Sequence, residues 1–551
     1  MDDPSIASGF QQGTGRTTGA NGTQIQREGL DGLLRQYPIQ CIGTSLLVAL
    51  LTTIIIYYSS SSSFPSATIK KTPPIPEINP LGGIFYPSKT KAAITAYLTN
   101  ARGLVTDFFR QNPGKLAAQL HTQIGTIIVL ASSTAEEIAH DERFHLRKQT
   151  AKTFNAHLPG FEVFRDDYNN HLMKNVVTKY FNKQLTKVTG ILAHEMDLAL
   201  GELFTTAKEG QQWTEIPLHA TALQIVARLS GRVFLGEDLG RDPEWLRITA
   251  GYAGVVTMAF ADLSKWPAWL RSTANRFLPR CKASREYMDG VRRKLRPVIA
   301  QRRKERRTSS REYREYNDAI EWFELESNGN AYDPEIVQLS LSLAAIHTAG
   351  DLLAQTLTEV ATHCEIIEPL KEEMRGILAK GGWQKSSLDK MILLDSVIKE
   401  SQRRKPLATL SMGRIAVTDA KLSDGTVVPK DSTVSIDAGL MWDPSIYAQP
   451  DEWDPYRFVR QRKGSLEKQR LAELTTTAPE HLAFGHGMHA CPGRFFAANE
   501  VKIAMIKILL GYDIKFADGV EPKVMVHGIT LDPDRRVRLS IWRREDGHGG
   551  F

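Results

Sequence analysis

Ten residues, Phe484-Gly-His-Gly-Met-His-Ala-Cys-Pro-Gly493, constrain this 551-residue chain more than any other stretch. They hold a single cysteine, Cys491, in a glycine-rich turn ahead of a segment with helical periodicity, where Ala497, Glu500, Ile503, Ile506 and Leu509 recur at spacings of three. The positive end of a helix dipole and the unpaired amides of a first turn both favour a thiolate there. Glycines free to take φ > 0 let backbone come close to a flat ligand that side chains would hold away. A thiolate held this way is the axial ligand an iron porphyrin needs to push electron density toward bound oxygen. Taken alone, one cysteine in a glycine-rich turn reads as a buried, inert thiol. The pattern around it argues for a ligand.

Two further segments carry chemistry. Glu400-Ser-Gln-Arg403 closes an apolar-periodic run through Met391, Leu394, Val397 and Ile398. The i,i+3 spacing puts carboxylate and guanidinium on one helical face, where an exposed pair would contribute only about 0.3–0.5 kcal/mol. The other segment starts at Asp333-Pro334, a helix-start signal. It runs through Ile336, Leu339, Leu343, Ile346, Leu353 and Leu357 to about His363, and carries Ala344-Ala345-Ile346-His347-Thr348. Ala345 leaves room beside Thr348, and an imidazole with a pKa near neutrality can relay protons. A threonine inside a helix can equally bond only the carbonyl one turn back.

The decamer resembles the haem-binding loop of the cytochrome P450 family, Phe-Gly-x-Gly-x-His/Arg-x-Cys-x-Gly with a small residue four positions on. Phe484, Gly485, Gly487, His489, Cys491, Gly493 and Ala497 all match. Glu400-x-x-Arg403 and Pro455-x-Arg457-Phe458 resemble the family's K helix and the segment that follows it. The resemblance covers about residues 80 to 545. It implies a mainly α-helical cytochrome P450 fold with a small β region, and a haem b bound through the Cys491 thiolate, with Phe484, Gly485, His489 and Gly493 around it. It also implies that Glu400, Arg403 and Arg457 form a buried charge network behind the loop. Thr348, with His347 in place of the family's acid, would relay protons to bound dioxygen. Residues 407–412 and 526–530 would line the substrate cavity, with Leu410 and Ile529 as its probes. The family's C-helix Trp-x-x-x-Arg, whose arginine holds a haem propionate, has no counterpart. Lys179 and Lys183 are possible substitutes, and His489 and Arg414 are better placed for that task.

Within the family, the chain looks most like fungal microsomal oxidases of terpenoid and indole-diterpenoid skeletons, ent-kaurene oxidases among them. The residues behind this are His347-Thr348, the run Asp389-x5-Asp395 through Arg403, Glu244 to Tyr252, and Trp266 to Arg271. The implied protein is a membrane-anchored monooxygenase that takes NADPH electrons through a cytochrome P450 reductase and inserts oxygen from O2 into a hydrophobic substrate. A haem-thiolate isomerase or desaturase, and a haem-binding protein without turnover, are the alternatives.

Composition narrows the rest. Cys41, Cys281, Cys364 and Cys491 show no paired spacing, which argues against zinc knuckles, cysteine-ligated clusters and a disulfide framework. No P-loop and no GxGxxG after a strand is apparent, so electrons must come from another protein. The net charge of +7 and the basic run Arg292 to Arg314 read as a solvated helix end and loop rather than a nucleic-acid surface. Helical periodicity dominates, with β-prone pieces at 125–130, 426–428, 432–436 and 536–542.

No charged residue lies between Arg35 and Lys70, and Ile39 to Tyr58 is long enough to span a bilayer. It runs into a serine tract, which favours a retained single-pass anchor over a cleaved signal peptide. The expected organisation is a disordered lumenal tail (1–36), an anchor (37–58), a Ser/Pro-rich connector (59–83) and a monooxygenase domain (84–551). Flanking charge is tied, and the resemblance sets the catalytic domain in the cytosol at the endoplasmic reticulum membrane. Asn21-Gly22-Thr23 is then a lumenal glycosylation sequon.

Overall fold

The computed structural model describes residues 74–82, 86–204, 213–308, 316–519 and 521–544, all within the unit Thr72–Phe551. The tail, the anchor, Asn21 and most of the connector lie outside the described residues.

Eight of the described helices frame the site: α1 (Pro87–Gln111), α2 (Asn182–Leu203), α3 (Leu218–Gly240), α4 (Pro243–Ser264), α5 (Pro279–Thr308), α6 (Pro334–Thr362), α7 (Ile392–Arg404) and α8 (Arg494–Gly511). α6 begins where the sequence placed it. The Asp333 side chain accepts from the Ile336 N–H, Pro334 fills the first turn, and Glu335 faces the positive dipole end. By length and composition α6 could cross a membrane, but 72% of its apolar window is buried inside the fold. It is a core helix. Gly350 lets α3 lie against it, since a Cβ there would sit 2.7 Å from Leu223 Cδ2.

α8 is more deeply buried than the i+3 stripe implies. Val501, Ile503, Ala504, Met505 and Ile506 are all inaccessible, so the helix is apolar on nearly every side. One carboxyl is buried with them. Glu500 accepts a 2.8 Å hydrogen bond from Ser230 Oγ, and its second oxygen has no partner among the described residues. Burial pushes this carboxyl up to about 8, against about 4.3 in an unfolded chain. Between those values the folded protein keeps a proton that the unfolded chain has lost. Stability therefore falls as pH rises from about 4.3 to about 8, by an amount on the order of a few kcal/mol. Glu500→Gln is expected to flatten this slope, so the variant's melting temperature changes less than the parent's between about pH 5.5 and about pH 8.5. Parallel melting curves across that range would show that the carboxyl ionises in place.

The β region is a five-stranded sheet of β1 (Ala117–Thr122), β2 (Gly125–Leu130), β3 (Phe144–His145), β4 (Leu410–Ala416) and β5 (Thr433–Asp437), in the order β1-β2-β5-β4-β3. β2 and β5 run parallel, and the other pairings are antiparallel. The pieces read at 125–130 and 432–436 correspond to β2 and β5. β4 shows no clean alternation, because its register shifts between Ser411 and Arg414, where Met412 takes φ +51°. A three-stranded sheet (Thr214–Pro217, Arg538–Arg543, Tyr512–Phe516) and a hairpin (Met525–His527, Thr530–Asp532) complete the larger β elements.

The described part of the basic run is largely exposed, as expected of a solvated helix end, and several of its arginines are paired. On α5, Arg302 makes two 2.7 Å bonds to Asp318, Arg303 pairs with Glu324 at 2.7 Å, and Arg306 pairs with Glu321. The acidic partners lie at the start of, or on, the helix Ala319–Ser327, so charge across two helices offsets much of the run.

Candidate functional site

Backbone bonds shape the Cys491 loop. The Cys491 N–H donates to Phe484 O at 2.8 Å, and the Ala490 N–H donates to Gly487 O at 3.0 Å. Gly485 and Gly487 have φ +66° and +71°. At Gly487 any Cβ would collide with the Ala139 carbonyl oxygen, so only glycine lets the loop dock on the helix Ala135–Ala139. His486 Nε2 reaches Glu136 Oε1 on the same helix at 2.9 Å. Phe484 packs against the main core, and Gly493 caps α8, which starts three residues after the cysteine. The amides of Gly493 and Arg494 and the Arg494 guanidinium favour the Cys491 thiolate, as expected of a helix start. Burial outweighs them and pushes the thiol up. A cation at the sulfur would reverse that balance, since a coordinating thiol is deprotonated outright.

Glu400, Arg403 and Arg457 form one ion-paired cluster. Arg403 makes two bonds to Glu400, at 2.8 and 2.9 Å, and both side chains are fully buried. Arg457 Nε donates to Glu400 Oε1 at 3.0 Å. Five further guanidinium N–H bonds go to the carbonyls of Met441, Pro450, Ala448, Gln449 and Glu452. Every charge is desolvated and paired, which is the condition for tolerating a buried network.

On α6, Ala344 and Thr348 are exposed one turn apart, although Ile346, Ala349 and Gly350 beside them are buried. Thr348 Oγ1 donates to Ala344 O at 2.8 Å, the one-turn-back bond open to any helical threonine, yet the hydroxyl stays accessible. His347 leans toward the Ala250 carbonyl of α4. Its Nε2 is buried with no partner among the described residues, and burial lowers its pKa.

A cationic cluster lies beside the loop. Arg414 is buried, bonds only the Gly413 carbonyl, leaves Nε without a partner and makes no ion pair among the described residues. Burial pushes it down to about 10. The His489 ring lies 6.3 Å from that of His145. Burial, Arg414 and Lys174 hold His489 at about 4, with His145 and Arg147 also contributing. Buried positive charge with an orphaned donor fits an anionic group such as a haem propionate, so the cluster and the cysteine loop together match a carboxylated porphyrin. Lys179 does not join it, being paired with Glu326 at 2.7 Å, and Lys183 is exposed. His145 and Arg147 were missed in the sequence. Their signal was Arg143-x-His145-x-Arg147-Lys148, four basic residues in six positions.

Both cavity probes lie in one packed apolar cluster. Leu410 is 6% exposed and sits with Tyr97, Val105, Leu120 and Val129 between the sheet and α1, and Ile529 packs against the same cluster. Leu407 is 44% exposed and is the open apolar position of that segment. The two segments do lie together, with Thr409 N–H donating to Ile529 O at 2.8 Å and Leu531 N–H to Leu407 O at 3.1 Å.

The comparisons agree with this geometry. The family model for Cytochrome P450 matches residues 97–537. The chain is 40% identical over 476 residues to cytochrome P450 monooxygenase hepE of Aspergillus oryzae, covering 85% of this chain and 86% of that protein. It is 39% identical over 479 residues to cytochrome P450 monooxygenase TRI1 of Fusarium sporotrichioides, covering 86% of each. Among solved structures, a retinoic acid-bound cyanobacterial CYP120A1 superposes with a TM-score of 0.60 at 17% identity, covering 82% of this chain and 96% of that one, a likeness of fold.

Proposed function

Since this chain belongs to the cytochrome P450 family, and is therefore a haem-dependent oxygenating oxidoreductase, we propose that it is a membrane-anchored monooxygenase of hydrophobic, terpenoid-type substrates. The observation that carries this reading is the Cys491 loop, docked by Gly487 and leading into α8, beside a buried cationic cluster. The haem supplies dioxygen activation, with electrons from NADPH through a reductase. The protein supplies everything else. Cys491 would hold the iron. Arg414, Arg147, His145 and His489 would hold the propionates. The Glu400–Arg403–Arg457 network keeps the loop's support rigid. Thr348 Oγ1, at the exposed face of α6, and the half-buried His347 beside it hold and pass protons. Leu407 offers an apolar contact to substrate, and the packed helices exclude water.

Membrane association is supported by the apolar stretch Ile39 to Tyr58. It is also supported by a patch after α4, where Trp266, Trp269 and the 79%-exposed Phe277 stand among Lys265, Arg271, Arg276 and Arg280. Aromatic rings flanked by basic residues suit a headgroup layer. In this reading the catalytic domain faces the cytosol of the endoplasmic reticulum, and Asn21 is lumenal and open to glycosylation.

The test is expression with a cytochrome P450 reductase in microsomes, fed polycyclic terpenoids under isotopically labelled dioxygen. One labelled oxygen atom per product is expected. An unlabelled product formed by intact haemoprotein would point to isomerisation or desaturation, and absence of substrate-dependent NADPH oxidation would leave a haem binder. In the same assay, Thr348→Ala should keep haem and substrate binding while product formation falls on the order of 10²-fold. NADPH oxidation continues and hydrogen peroxide replaces product. Unchanged coupling would return Thr348 to a structural role.

A further inference from the structure

Between α7 and the Cys491 loop runs a short strap, residues 471–475, that begins at the last residue of the helix Leu466–Leu471 and is held from both sides. On the α7 side, Lys399 Nζ donates to Leu471 O at 2.7 Å and to Glu473 O at 2.6 Å. Asp395, one turn earlier on α7, accepts from the Leu474 N–H at 3.0 Å. On the loop side, Arg494 Nε donates to Thr475 O at 2.9 Å, and its Nη1 donates to Cys491 O at 2.8 Å. The proposed function assigns no part to Lys399, Asp395 or Arg494.

Lys399 is a costly residue to place here. It is 1% exposed and makes no ion pair among the described residues. The Asp395 carboxylate is taken by Lys502 and Arg462, each at 2.7 Å. The Phe458 ring, 5.0 Å from Nζ, eases the charge only in part. A buried ammonium without its own carboxylate disfavours folding, and a methionine of similar length would carry no such penalty. Burial pushes Lys399 down to about 7. The neutral amine still has two N–H groups, one for each carbonyl, so its hold on the strap does not depend on the charge. What explains the lysine is the strap it holds.

The strap reaches the cysteine through backbone. The Cys491 N–H is fixed by Phe484 O and its carbonyl by Arg494. With both planar peptide groups held, the two soft dihedrals of Cys491 are set, and with them the direction in which its sulfur points. Arg494, the first residue of α8, is steadied in turn by Thr475 O, which shifts only if the strap shifts. Lys502, two turns further along α8, ties the same helix to Asp395. α7, the strap and α8 therefore close a ring of contacts around the cysteine's carbonyl side.

We propose that Lys399 and Arg494 are positioning residues for the axial thiolate, acting through residues 471–475, which brace the Cys491 carbonyl against α7. The brace sets the direction of the sulfur and slows its loss as a ligand. The inference rests on the reading of Cys491 as the iron's ligand.

The experiment uses the full-length holoenzyme, chemically reduced and bound to carbon monoxide, so that no reductase is needed. The variants are Lys399→Met, Arg494→Met and Arg494→Lys. In mild denaturant the red-shifted Soret band is expected to convert to a blue-shifted one, the mark of a lost thiolate. Conversion should be several-fold faster in both methionine variants, with Arg494→Lys, which keeps a donor, in between. Because the two residues act through one strap, the double methionine variant should show less than the combined effect. A second readout is backbone hydrogen–deuterium exchange followed by mass spectrometry. It should quicken several-fold at 471–475 and 484–493 and stay parental in α2 and α6. Faster exchange throughout would mean general loosening and overturn the brace, as would parental conversion and loop exchange in Arg494→Met. A parent without the red-shifted band would overturn the Cys491 reading, and the brace with it. Should Lys399→Met fail to fold, Arg494→Met decides alone: quickened exchange at both segments supports the brace, and quickening confined to 484–493 overturns it.

Discussion

Cys491→Ser is expected to abolish the red-shifted Soret band of the reduced carbon monoxide complex, and product formation with it. A serine oxygen cannot supply the thiolate's electron density to iron. The chain around it should survive the change, because the loop is held by the Cys491 N–H bond to Phe484 O, the positive-φ glycines and the Gly487 dock, none of which needs sulfur. The variant should therefore fold with a near-parental melting temperature while losing the spectrum. The other described cysteines offer no replacement. Cys281 is buried in the core, where burial pushes its thiol up to about 11, and Cys364 is exposed in the turn that follows α6. A persisting red-shifted band would place the iron elsewhere and overturn the site.

Glu400→Ala is expected to cost about 3–5 kcal/mol of folding stability, a large share of the roughly 5–15 kcal/mol available to a typical domain. The loss comes from what remains. Arg403 and Arg457 would keep their desolvated charges and backbone acceptors but lose the carboxylate that bonds both. Little folded haemoprotein should accumulate, and any that does should melt well below the parent. Glu400→Gln keeps the shape and part of the hydrogen bonding and should fall between the two. An unchanged melting temperature and haem content in the alanine variant would mean that surrounding carbonyls and water compensate the arginines.

Features encoded in contiguous sequence were the most legible. The cysteine turn, the Asp333-Pro334 start of α6 and the Glu400–Arg403 spacing each sit within a few residues, where helix geometry and capping chemistry decide the outcome. The cationic cluster was half hidden because the contiguous β3 and helix beginning at Leu146 lie far along the chain from the bulged β4 that carries Arg414. The same bulge hid β4, since alternation cannot show which face a side chain takes once the register slips. The Cys491 thiol followed the dipole argument in sign for each local contribution. The net direction depended on burial, which no local pattern reveals.

The docking of the cysteine loop on the helix Ala135–Ala139 has a consequence for recombination between this enzyme and its relatives. Gly487 rests against the Ala139 carbonyl and His486 grips Glu136, so a short N-terminal helix and a C-terminal turn form a single mating surface. A chimera that takes residues 484–493 from one parent and 135–139 from another joins halves shaped for different counterparts. Crossovers that move both segments together keep the iron-binding turn seated, and that pairing sets the seams for shuffling oxidases of this kind.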